Sequence, residues 1–436
     1  ICSGYPGVLP ALNKEVVSRA ILLGLATNCR INSTCSFARK HYFYPDLPKN
    51  YQVSQSDRPI CLEGGIKIRK EDGSIKTIRL VRIHMEEDAG KNIHSNTTSE
   101  SFVDLNRTGT PLLEVVSYPD ISSTFEAKAY LKALYNMVRY LDIGSANMQE
   151  GAFRADTNIS VRKKTDQELG TRCELKNINS FKFIADATEY EIERQIKLLE
   201  DGKAVKQQTL SWDTKNKKTH PMRSKEEAAD YRYFQEPDLS LLVIGEEWKA
   251  KIKSKMPELP FERFERYCKN LGLSSYEADI LVGDVGLSRY FEQAYAKCQS
   301  KHTINLILRD ILSYLKENKI EIEQFKMPPE YLAEISSLLE KGKINSRTAQ
   351  DVFNKAVQNG VSPEKIVKDS GLEQVESETE IEKIVEKIIK SNPEQVSQYK
   401  AGKERLFGFF VGKAMKETKG RGNPKTIQML LKKFLG

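Results

Sequence analysis

The sequence predicts an α+β fold in which a mixed strand-and-helix part precedes an all-helical part. Alternation of apolar and polar residues, which is typical of half-buried strands, recurs before Pro237 and is clearest over residues 65–85. After Pro237 the alternation ends, and lysine-rich segments are separated by Pro and Gly turn signals. Strands with one polar face are typical of antiparallel sheets, because such sheets leave one face in water. The first part is therefore predicted to be antiparallel and the second a set of packed helices.

Each element of the first part is predicted from spacing and turn residues. Apolar residues at helical spacing predict helices. The Asp72-Gly73 pair between two alternating runs predicts a hairpin turn, because its glycine tolerates a positive φ. The predicted elements are a helix at 14–26, a hairpin at 65–85, a short strand at 111–117 and helices at 124–141 and 183–199.

A strand with two different faces is predicted at 153–162. Every second residue from Phe153 is apolar or small, and the residues between them are polar or charged, which indicates one half-buried sheet with an open polar face. The polar face carries Arg154, Asp156, Asn158, Ser160 and Arg162. Three further charged residues alternate on a later strand, namely Arg172, Glu174 and Lys176.

Composition and charge exclude several classes of protein. The 436 residues carry a formal charge of +8, which permits a polyanionic partner without requiring one. No apolar run reaches the roughly 18 residues of a membrane span. The seven cysteines form no Cys-x-x-Cys pair, which indicates reduced thiols in a cytosol-like compartment and argues against a zinc finger. The opening Ile-Cys-Ser-Gly is neither a start site nor a signal peptide, so an N-terminal truncation is expected.

Acidic clusters at strand ends are the candidates for chemistry. His84-Met-Glu-Glu-Asp88 closes the hairpin, while Glu114 and Glu150 lie on or before later strands. Carboxylates suit Mg²⁺, and arginines or lysines on the same face would neutralise the phosphates of a nucleotide. Without a P-loop, side chains and metal would have to hold that nucleotide. A solvated sheet face explains the same charges, and His84 is interpreted as a hydrogen-bonding residue rather than a base.

Two further segments allow a functional and a structural interpretation. The stretch 41–51 is dense in Tyr and Pro, follows Arg39-Lys40, and provides rings on which a nucleotide or the terminal adenosine of an RNA would stack. A packed loop explains the composition equally well. The lysine-rich helices near the C-terminus either follow a phosphate backbone or cover a small helical bundle.

Several long motifs resemble one protein family in collinear order. They include Arg39-Lys-His-Tyr-Phe-Tyr-Pro-Asp-Leu-Pro-Lys, His84-Met-Glu-Glu-Asp-Ala-Gly-Lys, Val103-Asp-Leu-Asn-Arg-Thr-Gly-Thr-Pro-Leu-Leu-Glu, Glu150-Gly-Ala-Phe-Arg-Ala-Asp-Thr-Asn-Ile-Ser, Glu174-Leu-Lys-Asn-Ile-Asn-Ser-Phe and Asp230-Tyr-Arg-Tyr-Phe-Gln-Glu-Pro-Asp. The tail, Gly412-Lys-Ala-Met-Lys followed by Gly-Arg-Gly-Asn-Pro424, is similar as well. The family is the B subunit of the aspartyl/glutamyl-tRNA(Asn/Gln) amidotransferase, GatB.

The resemblance implies a fold and a domain order. An antiparallel cradle domain that resembles the glutamine synthetase catalytic fold is expected at 1–243, where ATP, Mg²⁺ and the acceptor end of tRNA would bind. An all-helical domain at 244–370 and a small helical tail at 371–436, which would bind tRNA, are expected to follow.

The resemblance also implies an activity and its partners. ATP with Mg²⁺ would phosphorylate the side-chain carboxylate of Glu-tRNA(Gln) or Asp-tRNA(Asn), and ammonia would then displace phosphate to leave the amide. The A subunit, a glutaminase, would supply the ammonia, and the C subunit would hold A and B together. The expected location is a bacterial cytoplasm or an organelle interior, without a membrane. The alternatives are a non-catalytic tRNA-binding module and a free-standing carboxylate–amine ligase.

Individual positions receive roles from the same resemblance. The implied metal ligands are Glu86, Glu87, Glu114 and Glu150, and the implied catalytic residues are Glu87, Glu114 and Arg154. Nucleotide or acceptor-end contacts are implied for Tyr42, Tyr44, Tyr51, Asp156, Arg172 and Lys176. Contacts with RNA are implied for Lys413, Lys416, Lys419, Arg421 and Lys425.

Some positions depart from the family pattern. The family's N-terminal Gly-Leu-Glu-Val-His strand, which provides a Glu and a His to the metal site, is absent, so weak catalysis by this chain alone is expected. Most of the family's cysteine segment is also absent, with Cys2 resembling its last member, which leaves a zinc site open. Gln235 and His41 replace the usual Pro and Asn, and neither position is an implied ligand.

Overall fold

The computed structural model describes residues 7–94, 100–176, 178–222, 231–372, 378–418, 422 and 424–436. The chain divides into two compact units, Ile1–Arg266 and Tyr267–Gly436. In the described residues, none of the helices combines the length and the apolar character needed to cross a membrane.

Strands dominate the first unit. In chain order they are β1 (Arg30–Ile31), β2 (Thr34–Cys35), β3 (Ala38–His41), β4 (Tyr51–Ser54), β5 (Cys61–Leu62), β6 (Gly65–Arg69), β7 (Ile75–Glu87), β8 (Lys91–His94), β9 (Ser101–Asp104), β10 (Pro111–Ser117), β11 (Thr157–Ile159), β12 (Cys173–Lys176), β13 (Gln208–Asp213), β14 (Lys218–Pro221), β15 (Phe234–Gln235) and β16 (Leu242–Val243). Its helices are α1 (Lys14–Ala26), α2 (Thr124–Tyr140), α3 (Phe181–Glu200) and α4 (Glu246–Lys253), and α5 (Pro260–Asn270) runs into the second unit.

A five-stranded antiparallel sheet forms around the long strand β7. Strands β5, β6 and β10 all pair with β7, and β1 extends the sheet beyond β5. The predicted hairpin is confirmed as β6 and β7, with Gly73 at φ +80° in the turn. Ile66 and Ile78 face each other across the hairpin and are buried, so the apolar half of the alternation forms the core face.

A second sheet corrects the prediction for residues 153–162. Its strand order is β11-β12-β13-β14, and only Thr157–Ile159 of the predicted segment pairs as a strand. The exposure of the side chains does alternate from Phe153 to Ile159, as the sequence suggested. Phe153, on the less exposed side, packs against Tyr135 and Phe181. Strands β12 and β13 are parallel, whereas an antiparallel arrangement was predicted. The parallel pairing is possible because helix α3 connects the end of β12 to the start of β13.

Two- and three-stranded sheets complete the first unit. Strand β15 pairs with β3, which pairs with β4, so residues near 234 lie beside the predicted aromatic segment. Strand β16 pairs with β2, and β8 pairs with β9. Arg39 and Glu236, which are 197 residues apart in the sequence, are therefore brought together at the β15-β3-β4 sheet next to β7.

Capped helices cover these sheets. Helix α1 has the predicted bounds and begins after Asn13, whose side chain accepts the Glu15 N–H. Helices α2 and α3 match the other two predictions within two residues at each end and begin after Ser123 and Ser180, whose hydroxyls accept backbone N–H groups. Their buried residues join those of the sheets in one hydrophobic core.

Gly64, just before β6, is expected to tolerate no side chain. Its φ is +98°, and a Cβ there would lie 2.5 Å from Cys29 Sγ and 2.8 Å from the Thr27 carbonyl oxygen. We expect Gly64→Ala to lower the free energy of unfolding by at least about 1–3 kcal/mol. Gly73→Ala is the matched control, because Gly73 has φ +80° but a Cβ there would have no atom of the described residues within 4 Å. Urea denaturation of both variants measures the difference, and equal losses would contradict the close contact at Gly64.

The second unit is helical in its described residues, as predicted. Its helices are α6 (Ser275–Gly283), α7 (Val285–Lys297), α8 (Lys301–Leu306), α9 (Leu312–Asn318), α10 (Pro329–Glu340), α11 (Ser346–Asn359), α12 (Pro363–Asp369), α13 (Glu378–Lys390), α14 (Pro393–Lys400), α15 (Leu406–Glu417) and α16 (Pro424–Leu435). A π-helical turn at Ile307–Ile311 joins α8 to α9, and a 3₁₀ turn lies at Ile322–Gln324. Helices α13 to α16 have a core of their own, built around Val385, Phe410 and Leu431.

Candidate functional site

Three potential metal ligands meet where β7 pairs with β10. Glu114 lies directly opposite His84 in the antiparallel register, and Glu86 follows His84 by two residues on the same face. His84 Nε2 is 3.3 Å from Glu86 Oε1 and 3.5 Å from Glu114 Oε2. One ligand atom from each residue lies within 4.8 Å of the others. Two carboxylates and an imidazole so close together can coordinate a divalent cation.

Hydrogen bonds hold the Glu86 carboxylate in place. Ser54 Oγ donates to Glu86 Oε1 at 2.6 Å, and Gln52 Nε2 donates to Glu86 Oε2 at 3.2 Å. Burial alone would raise the pKa of Glu86, but the hydrogen bonds from His84 and Ser54 and the charge of Lys40 lower that pKa below its ordinary value. Glu86 is thus kept ionised and oriented in a nearly buried position, as a metal ligand must be.

Glu87, a predicted catalytic residue and ligand, has different partners. Because successive strand residues point to opposite faces, Glu87 lies on the other side of β7 from Glu86. Its Oε1 accepts the Val53 N–H at 2.8 Å and forms an ion pair with Lys49. Glu87 therefore connects β7 to β4, and it is outside the set formed by His84, Glu86 and Glu114.

The predicted aromatic residues lie next to this set. Tyr42 donates its hydroxyl to Gln52 Oε1 at 3.2 Å, and the same Gln52 contacts Glu86. Burial, reinforced by the charge of Glu86, raises the pKa of Tyr42, so its phenol stays protonated. The Tyr44 ring packs edge-on against Tyr42, 5.9 Å between centroids. Arg39 lies over the Tyr51 ring at 4.3 Å.

Residues from the β15 region complete the aromatic surface. The Tyr231 ring lies 6.1 Å from Tyr42 and 6.0 Å from Tyr233, and the Lys40 ammonium is 4.9 Å above it. Phe234 stacks on His41 at 4.9 Å. Asp230, the first residue of the motif that carries these rings, lies outside the described residues. The surface is therefore aromatic and basic, a combination that suits a base or an adenosine.

Arg154, a predicted catalytic residue, forms an ion pair at the end of β7. Its Nη2 donates to Asp88 Oδ1 at 2.9 Å, and Arg107 lies 2.9 Å from the other oxygen of that nearly buried carboxylate. The Arg154 side chain remains about half exposed. The pair places the Arg154 guanidinium next to β7, the strand that carries His84 and Glu86. These two residues and Glu114 are called the acidic set.

The remaining predicted residues of the first unit are on or near the second sheet. Lys176 lies 3.4 Å from Asp156 Oδ2 and 3.3 Å from Glu174 Oε1. Burial alone would lower the pKa of Lys176, but these two carboxylates raise it. Arg172 is exposed just before β12, and Glu150 is exposed in the turn before residue 153. These residues therefore lie on or near the second sheet, whereas His84, Glu86 and Glu114 lie on the first.

The predicted RNA-binding residues lie in the tail of the second unit. Lys413 donates to Asn392 Oδ1 at 2.6 Å and lies 5.2 Å from the centre of the Phe409 ring. Lys416 and Lys425 are exposed, whereas Lys419 and Arg421 lie outside the described residues.

Three contributors to the site were not predicted. His84 was interpreted as a plain hydrogen-bonding residue, and Gln52 and Ser54 were not singled out. The two-residue spacing of His84 and Glu86 on a predicted strand was the available signal, because it places both on one face. Gln52 and Ser54 carried no such signal, because their role depends on β4 lying against β7.

Known proteins resemble the chain over its whole length. Residues 1–250 match the GatB/GatE catalytic domain, and residues 289–435 match the GatB domain. The chain is 46% identical over 437 residues to the B subunit of the aspartyl/glutamyl-tRNA(Asn/Gln) amidotransferase from Persephonella marina, covering 100% of this chain and 92% of that protein. The protein of the same name from Geotalea uraniireducens is 47% identical over 441 residues, with 100% and 92% coverage.

A third relative gives the same result. The corresponding B subunit from Thermodesulfovibrio yellowstonii is 46% identical over 436 residues, covering 100% of this chain and 91% of that protein. Identity of this extent, together with the two matched domains, shows the family: the chain belongs to the amidotransferase B subunits, GatB.

Proposed function

We propose that the protein is the subunit of a tRNA-dependent amidotransferase that activates the side-chain carboxylate of Glu-tRNA(Gln) or Asp-tRNA(Asn) with ATP, so that ammonia converts it to the amide. The observation that carries this proposal is the set of His84, Glu86 and Glu114 beside an aromatic, basic surface in a domain that matches the GatB/GatE catalytic domain. The first part of the chain, up to residue 243, would be the cradle resembling the glutamine synthetase fold. A helical domain would follow up to residue 370, and the tail after it.

The acidic set fits a divalent cation. Its carboxylates are hard oxygen donors of the kind that Mg²⁺ prefers, and Glu86 is already ionised and oriented by Ser54 and Gln52. Mg²⁺ held by Glu86 and Glu114 with His84 would offset the negative charge that develops when ATP meets a carboxylate. Glu87 and Glu150 remain predicted ligands outside this set. Cys2, on which the expectation of a zinc site rested, lies outside the described residues.

The neighbouring side chains would bind and orient the two substrates. Tyr42, Tyr44 and Tyr51 would stack against the nucleotide or the terminal adenosine. The cationic and polar groups Arg154, Arg172, Lys176 and Asp156 would position phosphate or ribose oxygens. Their partners in this structure, Asp88 for Arg154 and Asp156 for Lys176, would hold these long side chains in place until substrate arrives.

The chemistry requires two displacements. A carboxylate is unreactive towards ammonia, because its oxygen is a poor leaving group. Attack of one carboxylate oxygen on the γ-phosphorus of ATP breaks the bond to ADP and leaves an acyl phosphate. Ammonia then attacks the acyl carbon, phosphate leaves with the electron pair of the C–O bond, and the nitrogen loses a proton. Water must be kept out between the two steps, because it would hydrolyse the acyl phosphate.

The proposal includes partners. A glutaminase A subunit would supply ammonia and a C subunit would join A to B. In the tail, Lys413, Lys416 and Lys425, with Lys419 and Arg421, would bind the phosphate backbone of tRNA, and this binding would weaken as salt is raised.

Phosphate release from ATP by the complex of this chain with A and C subunits tests the proposal. Ammonium replaces glutamine, and reactions are compared with and without Glu-tRNA(Gln). Release that requires the charged tRNA and yields Gln-tRNA supports it. Tight tRNA binding without release would indicate a non-catalytic binding module, and release without tRNA would indicate a small-molecule ligase. Either result would overturn the proposal.

Ser54→Ala is expected to weaken metal binding while leaving the three ligands in place. The lost hydroxyl donates to Glu86 Oε1 at 2.6 Å, and loss of such supporting groups costs about 10–100-fold in metal affinity. Mn²⁺ binding, followed by electron paramagnetic resonance, measures the change directly. Ser56→Ala is the control, because the Ser56 hydroxyl donates to the neighbouring exposed Asp57. Equal Mn²⁺ affinity in the Ser54 variant and the wild type would contradict the supporting role.

A further inference from the structure

Arg82 lies on the same face of β7 as the candidate metal ligands. It precedes His84 by two residues and Glu86 by four, so the three side chains form one row along the strand. Across the ladder Arg82 faces Val116, which follows Glu114 by two residues on β10. An arginine therefore borders the acidic set on the side away from Glu86.

Within the described residues, the side chain of Arg82 differs in its hydrogen bonding from that of Arg79 on the same strand. Its Nε is buried and has no hydrogen-bond partner within the part of the chain that the structure describes. By contrast, Arg79, three residues earlier on β7, makes a two-point contact with Asp120, at 2.9 and 2.7 Å. A buried donor without an acceptor costs about 1–3 kcal/mol, so this N–H is expected to have a partner when the site is in use.

The hydroxyl of Tyr233 feels the charges of Arg82 and of the acidic set together. Burial raises the pKa of Tyr233 to about 12, the negative charges of Glu86 and Glu114 raise it too, and the positive charge of Arg82 opposes them. All three charged side chains are thus within electrostatic reach of a single phenol on the aromatic surface. A substrate group beside this phenol would feel the charges of the acidic set, with any cation that it holds, and of an arginine.

We propose that Arg82 binds an anionic oxygen of a substrate at the candidate metal site, either a phosphoryl oxygen of ATP or the side-chain carboxylate of the aminoacyl group. The inference rests on the proposed function, in which two anions must be brought together at one centre. The planar guanidinium matches the geometry of both groups and remains charged at any working pH. An arginine provides the second positive group that this encounter requires in addition to a metal ion.

The test compares Arg82→Lys and Arg82→Gln with Arg79→Lys in the complex with A and C subunits. Arg79 is the matched control, because it is on the same strand, is 65% exposed and is already paired with Asp120. Wild-type activity with Glu-tRNA(Gln) must be present first, and its absence would count against the proposed function and not against Arg82 alone. We expect Arg82→Gln to lower kcat/KM by about 100-fold or more. Arg82→Lys should recover part of this loss, and Arg79→Lys should change little.

Two binding measurements then identify the anion. If Arg82 binds ATP, affinity for the β,γ-methylene analogue of ATP falls in Arg82→Gln while affinity for Glu-tRNA(Gln) is kept. If it binds the carboxylate, analogue affinity is kept and the preference for Glu-tRNA(Gln) over Gln-tRNA(Gln) is lost. Both Arg82 variants must melt at the wild-type temperature to rule out misfolding. An active wild type with unchanged kcat/KM and unchanged affinities in both variants would overturn the inference.

Discussion

Replacing Glu114 with Gln is expected to lower kcat/KM for amidation of the charged tRNA by about 100- to 1,000-fold. The substitution keeps the size of the side chain and removes one of the two negative charges in the set with His84 and Glu86. The Glu114 side chain is 49% exposed, so the fold is expected to be retained. Initial rates over a range of Mg²⁺ concentrations provide the measurement, and the Mg²⁺ concentration for half-maximal rate is expected to rise.

Glu87→Gln is the informative comparison, because Glu87, like Glu114, was predicted to be both a metal ligand and a catalytic residue. In the structure its carboxylate contacts Lys49 and the Val53 N–H, on the opposite face of β7. A much smaller loss in Glu87→Gln than in Glu114→Gln would agree with a set formed by His84, Glu86 and Glu114. Full activity of Glu114→Gln would show that this set is not the catalytic metal site. An equal loss in both variants would show that Glu87 also belongs to the working site.

Arg39→Met is expected to cause a large loss of stability, about 3–5 kcal/mol. Arg39 holds Glu236 through two hydrogen bonds of 2.8 Å, and the Glu236 side chain is only 3% exposed. Without Arg39 a buried carboxylate loses its counter-ion, which costs far more than the loss of an exposed pair. Denaturation in urea, followed by the fluorescence of Trp212 and Trp248, reports on the first unit, which contains both tryptophans.

A matched control is Arg79→Met, which removes an arginine from an exposed two-point pair with Asp120. Exposed pairs contribute about 0–1 kcal/mol, so the two variants are expected to differ by several-fold in their loss. The double substitution Arg39→Met with Glu236→Leu is expected to recover much of the stability, because no buried charge is then left alone. Equal losses for Arg39→Met and Arg79→Met would contradict this account.

The effect of Arg39→Met is expected to depend on pH. Burial raises the pKa of Glu236, but the hydrogen bonds from Arg39 and from the Asp238 N–H lower it, and the net result is below its ordinary value of 4.5. A carboxyl group with a lowered folded-state pKa stabilises the protein above its unfolded-state pKa, and that contribution is lost as the pH falls through the folded-state pKa. The difference between wild type and variant should therefore be full near neutral pH and shrink below about pH 4.5.

Local features of the fold were predictable from the sequence, and distant pairings were not. Helix α1 and the β6–β7 hairpin depend on spacing and on the Asp72-Gly73 turn within a few residues, so the sequence reveals them directly. The Arg39–Glu236 contact joins residues 197 positions apart, and no local pattern indicates it. The predicted strand at residues 153–162 combines a local feature with a distant pairing. Their alternation predicted which side is buried but not how many residues find a partner strand.

The candidate site was predictable in part for the same reason. Glu86 and Glu114 were predicted to be ligands from residue type and from resemblance to the family, and cross-strand pairing brings them together. Which of two adjacent glutamates faces Glu114 depends on the register of β7 with β10, which the sequence alone leaves open. The two-sheet arrangement of Arg154, Asp156 and Lys176 likewise follows from tertiary pairing.

The length of β7 limits which insertions and deletions this protein can accept. Its 13 residues pair with three neighbouring strands, and the candidate ligands His84 and Glu86 lie near its end. One added residue between Ile75 and Ile83 would turn every following side chain over, placing Met85 where Glu86 is and hiding His84 from Glu114. Two added residues would restore the face but displace the ligands by about 7 Å along the strand. Length changes are therefore expected to be confined to the open turn at Gly73, which lies outside the paired segment.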